Sequence, residues 1–339
     1  VKSRRVLVTG GAGFIGSCLV KMWLREDPKI EIVNLDKLAY AGDLARLKEI
    51  ENEPRHRFVR GDVANPAEVE KAMAGCDGVV HTAAETHVDR SLLDAKAFID
   101  TNVYGTYVLL EAARKAGVRR FLTVSTDEVY GSRPTGFFKE GAPMAPTSPY
   151  SVSKTASDLL TLSYTHTHGL PTVVTRGSNT YGNWQYPEKV IPLFISNAFS
   201  DKKLPLYGDG KQVRNWMHVD DHARAILVAF KKGKAGEAYN VSSSVYLRNI
   251  DLTRRILKLL GKSEALIERV TDRAGHDRRY AIDSRRLRAL GWKERVSFEK
   301  GLTATVDWYR VNAAWWRGIK EKNAFGEYYL KTYGDRRRG

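Results

Sequence analysis

Short apolar, β-branched runs alternate with helical patterns along the first half of the chain. The run 5–9 stops at glycines, which predicts a buried parallel strand. From Gly16 to Arg25 the residues Leu19, Met22 and Trp23, with Ile15 just ahead, fall at helical spacing. Further strand-like runs at 31–35, 56–60, 78–81 and 120–124 close on Asp36, on Gly61 and Asp62, on Thr82 to Ala84, and on Ser125. Helical stretches are predicted at 66–73, 95–116 and 151–168. This βαβα rhythm predicts an α/β fold, a Rossmann-like doubly wound parallel sheet with ligands at the carboxyl ends of its strands. Beyond about residue 176 the pattern loosens into segments punctuated by proline and glycine. A helical stretch at 219–231 and a strand at 238–241 look like a return to the first domain, and the rest reads as a smaller mixed α/β C-terminal domain. No internal repeat or low-complexity linker interrupts the chain.

Composition narrows the class. At 339 residues there is room for one large domain and a smaller one. No apolar run approaches the roughly 18 residues that cross a bilayer. The start runs straight into a strand-like segment, so no signal peptide is expected. Cys18 and Cys76, the two cysteines, are too few for a disulfide framework and read as buried thiols in a reducing compartment, which makes the cytoplasm the expected location. The formal charge of +16 is spread along the chain in short clusters such as Arg119-Arg120 and Lys202-Lys203. It reads as a solvated basic surface that favours anionic substrates, with nucleic-acid binding the less favoured reading. The basic tail Arg336 to Arg338 is expected to fray.

The first candidate chemistry is a glycine loop. Gly10, Gly13 and Gly16 follow the first strand and open the first helix in a G-x-x-G-x-x-G spacing. Such a loop turns tightly, approaches a pyrophosphate and offers it helix N-terminal N–H groups. Asp36, 20 residues past Gly16, would take the ribose hydroxyls, which favours NAD over NADP, although Lys37 could tolerate a phosphate. A catalytic set follows. Tyr150 and Lys154 stand at i, i+4 on one helix face, where the ammonium, aided by a cofactor's positive charge, can lower the tyrosine pKa. Ser125 and Thr126 lie about 25 residues upstream at a strand end. Together these predict a dehydrogenase site. Asp127 and Glu128 add an acid and a base beside it, which suggests a second step: removal of an α-proton and protonation of a leaving group.

With these residues the chain resembles the dTDP-glucose 4,6-dehydratases of the extended short-chain dehydrogenase/reductase superfamily, over about residues 4 to 310. The motifs that carry the likeness are 7–16, 36–42, 83–91, Thr126-Asp127-Glu128, 176–182, 187–192, 207–216 and 275–283. The resemblance implies that Tyr150 deprotonates the sugar 4-hydroxyl, with Thr126 on the same oxygen and Lys154 on the ribose. It implies that Glu128 removes the C5 proton and that Asp127 protonates the C6 hydroxyl, which leaves as water. The hydride returns to C6, so NAD is regenerated and held tightly. The cofactor would lie among Gly10, Gly13, Phe14, Ile15 and Gly16, then Asp36, Lys37, Asp62 and Val63, then Thr82, Ala83, Ala84, Thr101 and Thr180, with Tyr150 and Lys154. Thr86 would lie near the sugar, with Asn179, Lys189 and Arg214 toward the diphosphate and nearby groups. Asn249, Arg273 and His276 would close around the nucleotide, and Glu188, Pro205 and Tyr207 would also bind the substrate. The division this implies is an NAD-binding domain at 1–176 with a return segment at about 216–243, and a substrate domain at 177–215 and 244–330.

Three departures from the family pattern bear on fine substrate geometry. Thr180 stands for an asparagine, Ala274 for a proline, and Ser242 to Ser244 for a glycine-rich turn; the motif at 83–91 differs only by Thr86 for a serine. Nearby alternatives on the same fold are a UDP-glucose 4,6-dehydratase or a 4-epimerase, the latter disfavoured by Asp127 and Glu128. A non-catalytic Rossmann binding protein is a further alternative, though such proteins usually lose the Tyr/Lys pair. The family also suggests a homodimer through helices near 95–116 and 151–168, where Val103, Tyr107, Leu110, Leu159 and Leu160 permit it but read equally as core. The histidines show no ligand spacing, and no metal is expected.

Overall fold

The computed structural model describes residues 4–334, so the basic tail lies outside the described residues. The β-branched runs form strands β1 (Arg5–Thr9), β2 (Glu31–Asp36), β3 (His56–Arg60), β4 (Gly78–His81) and β5 (Phe121–Thr126). They are joined by β6 (Thr172–Gly177) and, after the chain has left and returned, by the strand Glu237–Val241. The seven strands pair all-parallel, with the last strand at one edge, then β6, β5, β4, β1, β2 and β3. The order reverses between β1 and β4, and it is there that a doubly wound sheet opens a crevice at its carboxyl edge.

Both faces of the sheet are covered, and β1 shows why. Val6 and Val8 pack with Trp23 and Phe230 on one face, whereas Leu7 between them packs with Val33, Leu109 and Phe121 on the other. Side chains alternate across a strand, so a run apolar at every position needs two dry faces. Each fully buried leucine or valine contributes about 1.5–3 kcal/mol. Helices Phe14–Glu26 and Val219–Lys232 lie on the first face, and Pro66–Met73, Gly105–Lys115 and Pro149–His168 supply the second.

Two local features differ from the sequence pattern. Strand β6, which carries Arg176 near its end, is absent from the predicted runs. The structure buries that guanidinium, 2.7 Å from the equally buried Asp158 carboxylate. The single helix expected at 95–116 contains a π-helical turn, Ile99–Tyr104, between Ala95–Phe98 and Gly105–Lys115. Within it the Asn102 side chain accepts from the Glu85 N–H at 2.9 Å and donates to the Glu85 carbonyl at 3.0 Å. The helix is thereby tied to the loop after β4; such turns recur at functional sites.

The remaining chain builds a mixed α/β region. A three-stranded sheet pairs β7 (Asn179–Tyr181), β9 (Val213–His218) and β11 (Tyr246–Arg248), and a two-stranded sheet pairs β8 (Leu204–Tyr207) with β12 (Ile267–Val270). In chain order the returning strand Glu237–Val241 is β10. Helices Val190–Phe199, Asn249–Leu260 and Phe298–Val311 pack on one apolar cluster that includes Phe194, Leu206, Leu257 and Leu302. Among the described residues no helix is long and apolar enough to cross a membrane.

Candidate active site

The chain leaves β1 at Thr9 and turns on Gly10, whose φ of +72° is left-handed. A Cβ there would lie 2.6 Å from the Ala83 amide nitrogen, and one on Gly16 would overlap the Gly10 carbonyl. Only glycine allows the loop to sit this close to both β4 and its own helix. Gly13 caps helix Phe14–Glu26 without a side-chain bond. The helix therefore opens with its N-terminal N–H groups uncapped by any side chain, toward a cavity of about 290 Å³ that Gly10, Gly13, Phe14, Ile15 and Gly16 line.

Asp36 ends β2 at the same cavity. Its carboxylate accepts from Ala12 N–H at 2.9 Å and from Leu38 N–H at 2.8 Å, bracing the loop it faces. Burial pushes its pKa up, against those two bonds. Lys37 also lines the cavity, but its ammonium donates to Thr101 Oγ1 at 3.0 Å and lies 3.5 Å from Glu85 and 3.8 Å from Asp62. A cation already engaged by two carboxylates is poorly placed to accept a 2′-phosphate, which weakens the reading that allowed one there. Val63, Thr82, Ala83, Ala84, Thr86 and Thr101 line the cavity as well. Asp62 does not: its neighbours Gly61 and Val63 face the space, while its carboxylate accepts from Ala64 N–H at 2.9 Å.

At the inner end the cavity meets Thr126, Asp127, Glu128, Tyr150 and Lys154. Strand β5 carries Thr126 to the sheet edge, where a 3₁₀ turn, Asp127–Tyr130, takes over. That turn sends Asp127 inward, 3% exposed, and leaves Glu128 partly buried and lining both this cavity and the next. Burial first, and the adjacent Glu128 second, raise Asp127 to about 8. Its Oδ2 has no hydrogen-bond partner, so near neutral pH Asp127 is a protonated acid.

Tyr150 lies buried in the same cavity as Lys154. Burial and the charge of Glu128 push its phenol up, and Lys154 is not among the groups acting on it. Lys154 is itself lowered to about 8 by burial and donates to the Val124 carbonyl at 2.7 Å. The helix spacing puts both residues in one cavity, but the lysine alone does not prepare the tyrosine as a base. A further positive charge in the cavity is required.

A second cavity, about 140 Å³, shares Glu128, Asn179, Glu188 and Lys189 with the first. Pro205, Tyr207, Arg214, Asn249, Arg273 and His276 line it, although they come from segments up to 71 positions apart in the sequence. Lys189 donates to the Thr86 carbonyl at 2.8 Å. The buried Arg214 donates to the Val213 and Asp277 carbonyls and lies 4.1 Å over the Tyr280 ring. Arg273 Nε, Asn179 Oδ1 and Asn249 Oδ1 are buried without partners. Burial lowers His276 to about 4, which leaves it neutral beside two arginines. Cations and open amide groups converging in a walled space match an anionic diphosphate.

Some functional positions escaped the sequence reading. Tyr280 hydrogen-bonds Asp277 at 2.9 Å and lies 3.4 Å from the Glu128 carboxylate; it stands inside the motif at 275–283, so its neighbours were the available signal. Asp89 and Tyr333 line the second cavity, and His222 the first. The unusual Thr180 bonds His222 Nδ1 at 2.7 Å and the Ser178 carbonyl at 3.2 Å. It therefore lines the cavity with its hydroxyl engaged by protein, while His222 Nε2 stays buried and unpartnered.

The family model described as GDP-mannose 4,6 dehydratase matches residues 7–305. A dTDP-glucose 4,6-dehydratase of Streptomyces niveus is 48% identical over 321 residues, 93% of this chain and 96% of the relative. The chain belongs to the dTDP-glucose 4,6-dehydratase family, within the extended short-chain dehydrogenase/reductases. A crystal structure of DesIV, a dTDP-glucose 4,6-dehydratase from Streptomyces venezuelae with NAD and TYD bound, superposes with a TM-score of 0.92 at 47% identity, covering 93% of this chain and 100% of that one. A UDP-glucose 4-epimerase from Thermus thermophilus in complex with NAD shares the fold at 31% identity and a TM-score of 0.84, covering 91% and 99%. The glycine cradle that any Cβ would fill, the uncapped helix start and the Asp36 carboxylate make the first cavity fit for NAD.

Proposed function

We propose that this protein dehydrates a nucleoside-diphosphate glucose, dTDP-glucose first among the candidates, to its 4-keto-6-deoxy derivative with bound NAD. The observation that carries this reading is Asp127. A dehydrogenase needs Thr126, Tyr150 and Lys154, but only an elimination also needs a buried carboxylic acid, protonated to about pH 8, next to a second carboxylate in the same cavity.

NAD, held by the glycine loop and Asp36, supplies oxidation at C4 and returns the same hydride to C6. Tyr150 takes the 4-hydroxyl proton, and Thr126 steadies that oxygen. The 4-ketone makes the C5 proton acidic, and Glu128 removes it. Asp127 gives its proton to the C6 hydroxyl, which leaves as water. Glu128 then returns a proton to C5. Arg214, Arg273 and Lys189, with Asn179 and Asn249, hold the diphosphate and nucleoside so that C5 and C6 stay between the two carboxyls. The enzyme is read as cytoplasmic and dimeric. Supporting the dimer, Tyr104, Tyr107, Val152 and Leu159 are 45–53% exposed on helices that the family pairs, whereas Leu110 is core. A UDP-sugar substrate would keep the chemistry and change only the base contacts.

The test is to incubate purified protein with dTDP-glucose or UDP-glucose, without added NAD, and follow the alkali-induced absorbance of the 4-keto product. Product from dTDP-glucose supports the reading and its base preference, and product from UDP-glucose alone changes the substrate. No product with either, even with added NAD, overturns the dehydratase.

A further inference from the structure

The outer wall of the cofactor cavity is the short loop 37–43 that follows β2; Lys37, Ala39, Tyr40, Ala41 and Gly42 of this loop face the cavity. The base of the loop is fixed by Leu38 N–H to Asp36 at 2.8 Å, Arg46 to the Ala41 carbonyl at 2.6 Å and Asp43 N–H to the Ala12 carbonyl at 3.1 Å, which leaves its tip to be held by other contacts. Leu38 sits at φ +56°, a left-handed conformation that costs a non-glycine residue about 1–2 kcal/mol. Its tip, Tyr40, is engaged by Glu188 and by Arg90. The Tyr40 hydroxyl donates to Glu188 Oε1 at 2.9 Å. The Arg90 guanidinium carbon lies 3.8 Å from the Tyr40 ring centroid and 4.1 Å from that of Tyr328, so one cation is held between two aromatic rings. Arg90 Nε and Nη2 each lie 2.8 Å from Glu188 Oε2, which leaves both oxygens of that buried carboxylate engaged. Tyr328 belongs to helix Asn323–Tyr333, and its hydroxyl meets His87 Nδ1 at 3.1 Å. At the other end of the loop, Trp315 Nε1 donates to Asp43 at 2.7 Å.

Three stretches far apart in sequence therefore meet on Arg90: the loop over the cofactor, the Glu188 segment shared by both cavities, and the C-terminal helix. Trp315 and Tyr328 lie beyond residue 305, where the family match ends. We infer that Arg90 is a latch that retains NAD, clamping Tyr40 and its loop against Glu188 and Tyr328 so that the cofactor leaves only when this clasp opens. The inference rests on the NAD reading above. Arg90 touches neither reacting carbon nor nicotinamide in this scheme; it acts through Tyr40 and Glu188, as a positioning residue.

The clasp is tested in the full-length chain with Arg90→Met, which keeps an apolar stem and removes the charge, and with Tyr328→Ala and Tyr328→Phe. The readouts are NAD per chain after purification and the release rate of NAD into a scavenging enzyme. Losing a cation between two rings is expected to speed release by about tenfold or more in Arg90→Met. Tyr328→Ala should also speed release, and Tyr328→Phe, which keeps the ring, should remain near the parent protein. Folding of each variant is checked by its melting transition in saturating NAD. If Arg90→Met does not fold, Tyr328→Ala decides. Folded Arg90→Met or Tyr328→Ala protein with unchanged NAD content and release rate overturns the latch. A parent protein that neither carries nor binds NAD overturns the underlying cofactor reading instead.

Discussion

Asp127→Asn tests burial and chemistry together, because the same desolvation that makes the residue an acid also costs the fold stability. In the folded chain Asp127 titrates near 8, against 3.8 for an ordinary aspartate. Its folded pKa is raised, so the native state keeps a proton that the unfolded chain releases between those two values. Stability contributed by this group is therefore complete below about pH 4, is lost as pH rises, and levels off above about pH 8. At 1.36 kcal/mol per pH unit the loss is about 4 kcal/mol at pH 7, an upper figure for a buried group. Asparagine has nearly the same shape and no ionisation, so the variant should escape the loss. With an unfolding entropy of roughly 0.7 kcal/mol/K for a chain this long, its melting temperature should exceed that of the parent by about 6 °C at pH 7, and by roughly 2 °C at pH 5. The assay is thermal unfolding of both NAD-stripped proteins from pH 5 to pH 9. The same variant should lose roughly 10²–10⁴ in turnover, since no proton reaches the C6 hydroxyl. A constant difference across pH, or a parent protein that gains on the variant as pH rises, would refute the account of Asp127.

In the intact enzyme, turnover should fall as pH rises through about 8, where Asp127 surrenders its proton; a pH profile still rising at pH 9 would contradict that. Tyr150→Phe should lose about 10²–10⁴ in turnover while KM for the sugar nucleotide stays close to that of the parent, measured by steady-state kinetics. Gly10→Ala places a Cβ 2.6 Å from the Ala83 nitrogen in a left-handed turn, and protein purified from it should carry little NAD, read from the absorbance released on denaturation. Leu159→Arg puts a charge on a side chain that is 53% exposed on the proposed dimer face, and light scattering should then report a monomer; an unchanged dimer would remove that face from the interface.

The elements of the first half were legible because each depends on near neighbours. A strand buried on both faces needs an unbroken apolar run, and an i, i+4 pair shares a helix face whatever the rest of the chain does. The glycine spacing and the acidic pair after Thr126 likewise mark local geometry. The burial of Arg176 in β6 was hidden because it depends on Asp158, 18 positions earlier, which neutralises it. The π turn at Ile99–Tyr104 was invisible because what pins it is Glu85, on a separate loop.

What the sequence by itself determined is therefore the set of local units and the inventory of reactive side chains. Tertiary structure alone decided their states and their company. Asp127 is an acid only because the surrounding elements exclude water from it. Tyr150 is held high because it is buried beside the charge of Glu128. Tyr280 reaches Glu128 across 152 positions. Arg90 lies between Tyr40 and Tyr328 only when both ends of the chain close on it. Desolvation and charge pairing are sums over everything nearby in space, and spacing along a chain does not contain them.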